Sequence, residues 1–461
     1  MIEDGQESRK TARELLDFIG KSPSCFHAVA QMSEMLKQAG FELLQEAQEW
    51  KLKRGGNYYV TRNQSSLIAF RIPRGEYRGF QMMASHSDSP TFKIKENPEM
   101  PVENWYRKLN VEKYGGMICS SWFDRPLSVA GRLLIREEGK MVTRLVNVDR
   151  DLVLIPNLAI HMNRKINEGY EYNVQKDLLP LFGCHMGEED RAQSGKNMEP
   201  GSTDQASQGQ LLQLLADQAS IKPEQILGSD LFLYNRMPGT VWGAEEEFIS
   251  SPRLDDLQCA FASLKGLLQT KEAANVAVHC VFDNEEVGSG TKQGAASGFL
   301  KDTLERIQAA FHPGEPMSKV LASSFMVSAD NAHAVHPNDM EKTDPTNRPY
   351  LNGGIVMKGN ANQKYTTDAV SAALFQIVCE QAGVEHQSFV NRSDMAGGST
   401  LGNISNTQVA LNTVDIGLPQ LAMHSAYETA GVLDTESMVR FARALFEAEI
   451  TSDEDGAFCI K

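Results

Sequence analysis

Two adjacent glutamates, Glu285 and Glu286, follow the apolar run NVAVHCVF (275–282) and precede a segment rich in Gly, Ala and Ser. Like charges that close raise each other's pKa unless a cation holds them. The pair is therefore either a solvated turn or part of a metal site. Other acids and imidazoles stand at comparable places. The run FQMMAS (80–85) leads into His86-Ser87-Asp88, and SSFMVSA (323–329) leads into Asp330. The stretch LPQLAMHSAYE (418–428) carries His424, and Asp255-Asp256 open the helical pattern ahead of the NVAVHCVF run.

Each feature alone has a plain account. His-x-Asp can be a satisfied pair, Asp-Asp at a helix start complements the dipole, and paired glutamates can be a solvated turn. Asp330-Asn331 could cap a turn, and His424 could be a buried side chain with a backbone partner. All these accounts would have to hold at the ends of successive strands, where open α/β sheets gather their ligands. That coincidence argues for metal. Mixed imidazole and carboxylate ligands suit zinc, and a catalytic site leaves one position open. Two ions fit the set better than one: His86 with Asp330, Glu286 with His424, and one of Asp255 and Asp256 bridging. Cobalt or manganese could take the same ligands. In an extended backbone neighbouring side chains point opposite ways, so Glu286 can bind metal while Glu285 faces the attacking water. A carboxylate there takes a proton from water and hands it to a leaving amine. Asp88 can orient the His86 imidazole.

These residues need a scaffold, and its outline is legible. Two helical patterns open the chain, TARELLDFIG and CFHAVAQMSEMLKQAG, with Ser24 and Gly40 as cap and stop of the second. Short apolar or alternating bursts follow (NYYVTR, SLIAFRI, GFQMMAS). From 247 onward apolar strands alternate with amphipathic helices, which implies an α/β fold: a mostly parallel central sheet covered on both faces by helices. Between them, β-like segments dominate (RLLIREE, MVTRLVNV, LVLIPNLAI), with little helical pattern before QLLQLLADQ. The expected organisation is a catalytic α/β domain in two parts, 1–93 and 247–461, with an inserted β-rich domain at 94–246. The polar stretch 186–210 reads as a surface loop.

The bulk properties narrow the function classes. A chain of 461 residues suggests two or three domains at ~100–200 residues each. Its formal charge of −15, without a basic block, speaks against nucleic acid or anionic membrane as partners. No apolar run approaches the ~18–20 residues that span a bilayer, and the polar, acidic start lacks the order of a signal peptide. Seven scattered cysteines without a CxxC read as reduced thiols, so a cytoplasmic home is expected.

Nine ordered blocks resemble one known family, the aspartyl aminopeptidases, which are co-catalytic zinc exopeptidases. They are ASHSDSP, SSWFDRPLSVAGRLL, LIPNLAIHMNR, SPRLDDLQCAFASL, VFDNEEVGSGTKQGAAS, SADNAHAVHPN, NANQKY, GGSTLG and LAMHS. The resemblance runs along nearly the whole chain. It implies two zinc ions per subunit, with His86 and Asp330 on one, Glu286 and His424 on the other, Asp255 bridging, and Glu285 as general base. It also implies that His336 contacts the substrate or transition state, and that His161 of the inserted domain reaches a neighbouring subunit's active site. The substrates implied are peptides with a free N-terminus. The assembly implied is a homo-oligomer, a dodecamer built from dimers joined through the inserted domain. Tyr427 stands where eukaryotic members carry an arginine, and Ala396 lies at a variable place in RSDMAGGSTLG; both argue against a strict demand for acidic N-terminal residues. Lys358, in VMKGNANQKY, is a candidate cation for an acidic side chain, or else a solvated lysine at a strand end. A deacylase or carboxypeptidase with the same metal chemistry is an alternative, as is a catalytically silent shell that binds cargo. The intact ligand set together with Glu285 argues against silence.

Overall fold

The computed structural model describes residues 2–103, 105–184 and 209–461, with side chains from residue 5 onward. The chain divides into two compact units: Met1–Ser89 with Pro238–Lys461, and Pro90–Met237. These divisions fall slightly before the expected 93/94 and 246/247. The reason is local pairing: Thr91–Val102 is one long strand of the second unit, and Thr240–Trp242 pairs with Phe248–Ser251 in the first. Nearly all of the polar stretch 186–210 lies outside the described residues.

The first unit is built on a nine-stranded sheet. Its strand order is Glu42–Leu44, Asn57–Arg62, Ser66–Arg71, Val276–Phe282, Phe80–His86, Phe325–Ala329, Asn412–Gly417, Ile355–Gly359, His386–Val390. Val276–Phe282, Phe80–His86, Phe325–Ala329 and Asn412–Gly417 run parallel to one another, whereas Ser66–Arg71 and Ile355–Gly359 join them antiparallel. Every residue of Phe80–His86, Val276–Phe282 and Phe325–Ala329 is buried. Continuous apolar strands of this kind need cover on both faces. On one face Met83, Val281 and Val327 pack with helices Cys25–Gln38, Leu254–Gln269, Ala369–Ala382 and Asp434–Glu447. On the other, Met82, Cys280 and Met326 pack with Phe299, Leu304 and Ile307 of helix Phe299–Phe311.

Helix ends follow the residues at them. Asp368 caps Ala369–Ala382, its carboxylate accepting the Ser371 N–H, and Gly383 closes that helix in the left-handed region. Ser24 occupies the cap position of Cys25–Gln38, but its hydroxyl bonds the His27 imidazole at 2.8 Å instead of a backbone N–H. A smaller five-stranded sheet in the same unit orders Thr240–Trp242, Phe248–Ser251, Glu428–Gly431, Pro419–Leu421 and Ala332–His333.

The second unit is a six-stranded sheet with antiparallel pairings throughout: Lys140–Asn147, Leu127–Glu137, Ile226–Asn235, Thr91–Val102, Tyr106–Tyr114 and Leu181–Cys184. Phe92 and Trp122 meet edge to face in its core, 5.2 Å between ring centres. The segment LVLIPNLAI, read as β-like, makes only isolated bridges at Val153, Leu154 and Ile155. Pro156 offers no N–H to a ladder, and Leu158, Ile160 and Met162 beyond it are exposed. No helix of the described residues is long and apolar enough to cross a membrane.

Candidate metal centre

Three neighbouring parallel strands and the helix beneath them deliver the site. His86 ends Phe80–His86 and Asp330 directly follows Phe325–Ala329. Asp255 and Asp256 sit at the opening of Leu254–Gln269 but have non-helical backbone angles, and the peptide bond joining them is cis. His424 lies in the link between Pro419–Leu421 and Glu428–Gly431, with a left-handed φ of 66°. Backbones must approach closely here: a Cβ on Gly417 would stand 1.9 Å from the Asp330 carbonyl oxygen.

The glutamate pair is placed differently from the sequence-based expectation. Glu285 and Glu286 form a single 3₁₀ turn, Glu285–Val287, after Asn284 in the left-handed region. Alternation along an extended strand therefore does not separate their roles. Asparagine tolerates that backbone conformation, and its side-chain oxygen accepts bonds from Thr291 and Gln293, both 2.8 Å. The Asp88 carboxylate holds the turn itself, accepting the N–H groups of Glu285 at 3.1 Å and Glu286 at 3.2 Å. The backbone carbonyl of Asp88 accepts from His86 Nδ1 at 3.0 Å. That bond directs Nε2 of His86 toward the acids.

Two triads of donor atoms result. His86, Asp255 and Asp330 offer ligand atoms within 4.8 Å of one another, and so do Asp255, Glu286 and His424. Asp255 belongs to both. Its Oδ1 is 3.6 Å from His86 Nε2, and its Oδ2 is 3.3 Å from His424 Nε2. His86 Nε2 is also 3.9 Å from Asp330 Oδ1, and His424 Nε2 is 3.4 Å from Glu286 Oε2. Glu285 reaches the same space, forming a third group with His86 and Glu286. Asp255 Oδ1 and Glu286 Oε1 are buried without a hydrogen-bond partner. Such orphaned anionic oxygens are costly unless a cation meets them. Their chemistry, carboxylate and imidazole only, fits zinc.

Charge balance carries the same message. Burial opposes the His86 cation, yet Asp255, Asp256, Asp330 and Asp88 outweigh it and hold the imidazole well above its ordinary value. Burial also opposes the Asp255 anion, but hydrogen bonding to His424 and His86 draws that carboxyl down. Burial, followed by Asp255, pushes Glu286 well above the carboxylate range. Burial and the carboxylates of Asp330, Asp88 and Asp255 push Glu285 up to about 8, against the pull of His86. A divalent cation among these groups would reverse that pressure.

Other candidates fall apart from this cluster or change character. Lys358 is only 2% exposed, so it is no solvated surface lysine; its Nζ donates to the Asn331 carbonyl at 3.0 Å and stands 3.8 Å from Asp330 Oδ2. His336 is exposed, its Nδ1 accepting the Asn338 N–H at 3.2 Å. His333, in the same HAVH segment, has its imidazole held below the ordinary value by desolvation and then the Lys358 ammonium, against the pull of Asp255 and Asp330. His161 lies exposed in the second unit beside Ile160 and Met162. The Tyr427 hydroxyl donates to the Pro238 carbonyl at 2.6 Å. Two buried acids escaped the sequence reading as supports. Asp256 Oδ2 accepts the His86 N–H at 3.0 Å, and Glu428 accepts the N–H groups of Asp255 and His424. Nothing local distinguishes Glu428; the signal, its place four residues after His424, is weak.

Residues 18–446 match the family described as aminopeptidase I zinc metalloprotease (M18). The chain belongs to that family. It is a zinc-dependent aminopeptidase, a hydrolase, and the resemblance of its sequence blocks to the aspartyl aminopeptidases holds at family level. A probable M18 family aminopeptidase 2 of Clostridium novyi is 46% identical over 430 residues, covering 92% of this chain and 96% of the relative. Among solved structures, Ape4 from a complex with Nbr1 superposes with a TM-score of 0.91 at 37% identity, covering 96% of this chain and 86% of the other. A chain of the yeast mApe1 dodecamer gives 0.81 at 28% identity, covering 95% and 96%. The α/β fold with its mostly parallel central sheet is thus an M18 fold.

Proposed function

We propose that this M18 aminopeptidase removes single N-terminal residues from peptides at a dinuclear zinc site, with Glu285 as general base. The observation that carries the reading is Asp255, whose two oxygens face the two separate histidines His86 and His424. His86 and Asp330 would hold one ion, Glu286 and His424 the other, and Asp255 both. Zinc bound there polarises the scissile carbonyl and makes water a better nucleophile; cobalt or manganese would serve the same ligands. Glu285, beside both triads, accepts the proton of the attacking water and returns it to the leaving amine. Asp88 keeps Glu285 in place through the turn N–H it accepts.

Finer features belong to the same proposal. The buried Lys358 ammonium has donors beyond the one given to Asn331, and these suit an acidic N-terminal side chain, which is accepted without being required. His336 would contact the substrate on the strength of the family resemblance alone, since it stands exposed outside the metal cluster. The second unit joins dimers into a dodecamer and lends His161 to a neighbour's site; the likeness to a chain of the yeast mApe1 dodecamer and the exposed Leu158, Ile160 and Met162 support this. A cytoplasmic setting agrees with seven free thiols. The deciding experiment pairs metal analysis of the purified protein with aminoacyl-arylamides and their N-acetylated controls. Two zinc ions per chain and cleavage of free-amine substrates alone are expected. Release of acetate from the acetylated set, with the arylamide bond left intact, would instead favour the deacylase reading.

A further inference from the structure

The N–H groups of the candidate ligands are held by acids that are not themselves ligands. Asp88 takes those of Glu285 and Glu286, and Asp256 takes that of His86. Glu428 takes the remaining two that side chains hold: its Oε2 accepts from Asp255 at 3.0 Å and its Oε1 from His424 at 2.8 Å. Asp330 alone uses the sheet, donating to the Ile416 carbonyl at 3.1 Å.

Glu428 differs from the other two in what it joins. Asp255 comes from the helix opening and His424 from a loop 169 residues later in the chain. The backbone of Glu428 is itself fixed, opposite Ser251 in the five-stranded sheet, and the residue is 2% exposed. One rigid carboxylate thus spans two ligand backbones whose side chains meet at 3.3 Å. A carboxyl group here accepts one N–H with each oxygen; an amide of the same shape would turn an NH₂ toward one of the two N–H groups. His424 needs the hold most, because its left-handed backbone is disfavoured for any residue with a Cβ.

We propose that Glu428 is a positioning residue, clamping Asp255 and His424 at the separation that zinc between them requires and so setting the affinity of that ion. The proposal rests on the dinuclear reading above. The test uses the full chain, stripped of metal and titrated with zinc against a competing chelator, as wild type, Glu428→Gln and Glu428→Asp. Outer supports of metal ligands are typically worth about 10–100-fold in affinity, and a loss of that size is expected in one zinc-binding step of Glu428→Gln. The metal-free chain should still fold, its melting temperature lowered only by the one buried N–H group left without an acceptor. Glu428→Asp, which keeps the charge but not the reach, should fall between. A folded Glu428→Gln with wild-type zinc affinity overturns the proposal. So does failure of both variants to fold at every zinc concentration, which would make Glu428 part of the fold and not of the site. If wild type binds a single zinc, the dinuclear reading fails separately, and Glu428 is judged by whether that one affinity drops.

Discussion

The two units of this chain break opposite rules of burial. The α/β unit buries charge: His86, Asp88, Asp255, Asp256, Lys358 and Glu428 are almost wholly enclosed. The six-stranded unit exposes apolar surface, with Trp105 55%, Met141 66%, Leu158 53% and Met162 75% accessible. Enclosed charge is destabilising unless paired or metal-bound, and clustered exposed apolar side chains mark contact surfaces. Each unit therefore displays the cost of a different job. One gathers the candidate ligands, while the exposed side chains of the other would suit the assembly surface proposed above.

The sharpest way to test the first half of this contrast is to split the glutamate pair. Glu285→Gln should lower kcat by about 10²–10⁴-fold with metal content and KM little changed. Glu286→Gln should lose zinc and activity together. Measuring both side by side decides: metal loss in Glu285→Gln but not in Glu286→Gln reverses the assignment.

Protons compete with zinc for the same enclosed groups. In the metal-free chain His86 and Glu286 hold protons well above their ordinary values, and Glu285 does so up to about 8. Zinc entry must expel them, so affinity should rise with pH, roughly from pH 6 to 8, and uptake should acidify a weakly buffered solution. Titration calorimetry in buffers of different ionisation enthalpy counts those protons. Flat affinity across that range would mean the site is already deprotonated.

The second half of the contrast predicts an interface. Burying one such side chain contributes about 1.5–3 kcal/mol, so Met162→Asp should weaken assembly roughly tenfold to hundredfold, seen by sedimentation across a dilution series. Unchanged assembly would remove this face from the interface. Mixing His161→Ala with Glu285→Gln chains should restore part of the activity if sites are shared between subunits. Verified mixed oligomers without recovery would leave His161 a local residue.

The smallest effect concerns specificity. A charge-assisted hydrogen bond is worth ~1.5–3 kcal/mol, so Lys358→Ala should lower kcat/KM for Asp and Glu substrates about tenfold more than for Leu and Ala. An unchanged ratio would assign the Lys358 ammonium to Asp330 and Asn331 alone.

Much of this was legible before any coordinates. The mostly apolar runs that lead to His86, Glu285 and Asp330 mark buried parallel strands, because strands covered on both faces are apolar on both instead of alternating. Helices such as Phe299–Phe311 and Ala369–Ala382 follow their apolar spacing. The family also shows in blocks of sequence alone. Other features resist such reading for identifiable reasons. The Glu285–Val287 turn depends on Asn284 adopting a left-handed backbone and on Asp88, which no pattern near Glu285 announces.

The sequence by itself determined which side chains could carry chemistry, which central stretches form strands and helices, and the M18 membership, since residue type and periodicity are local properties. Only the tertiary structure decided that Lys358 is enclosed, that Asp255 faces both histidines, and that Glu428 ties Asp255 to His424. Those facts depend on groups far apart in the chain that meet only when the sheet and its helices pack, and no local pattern encodes a distance between them.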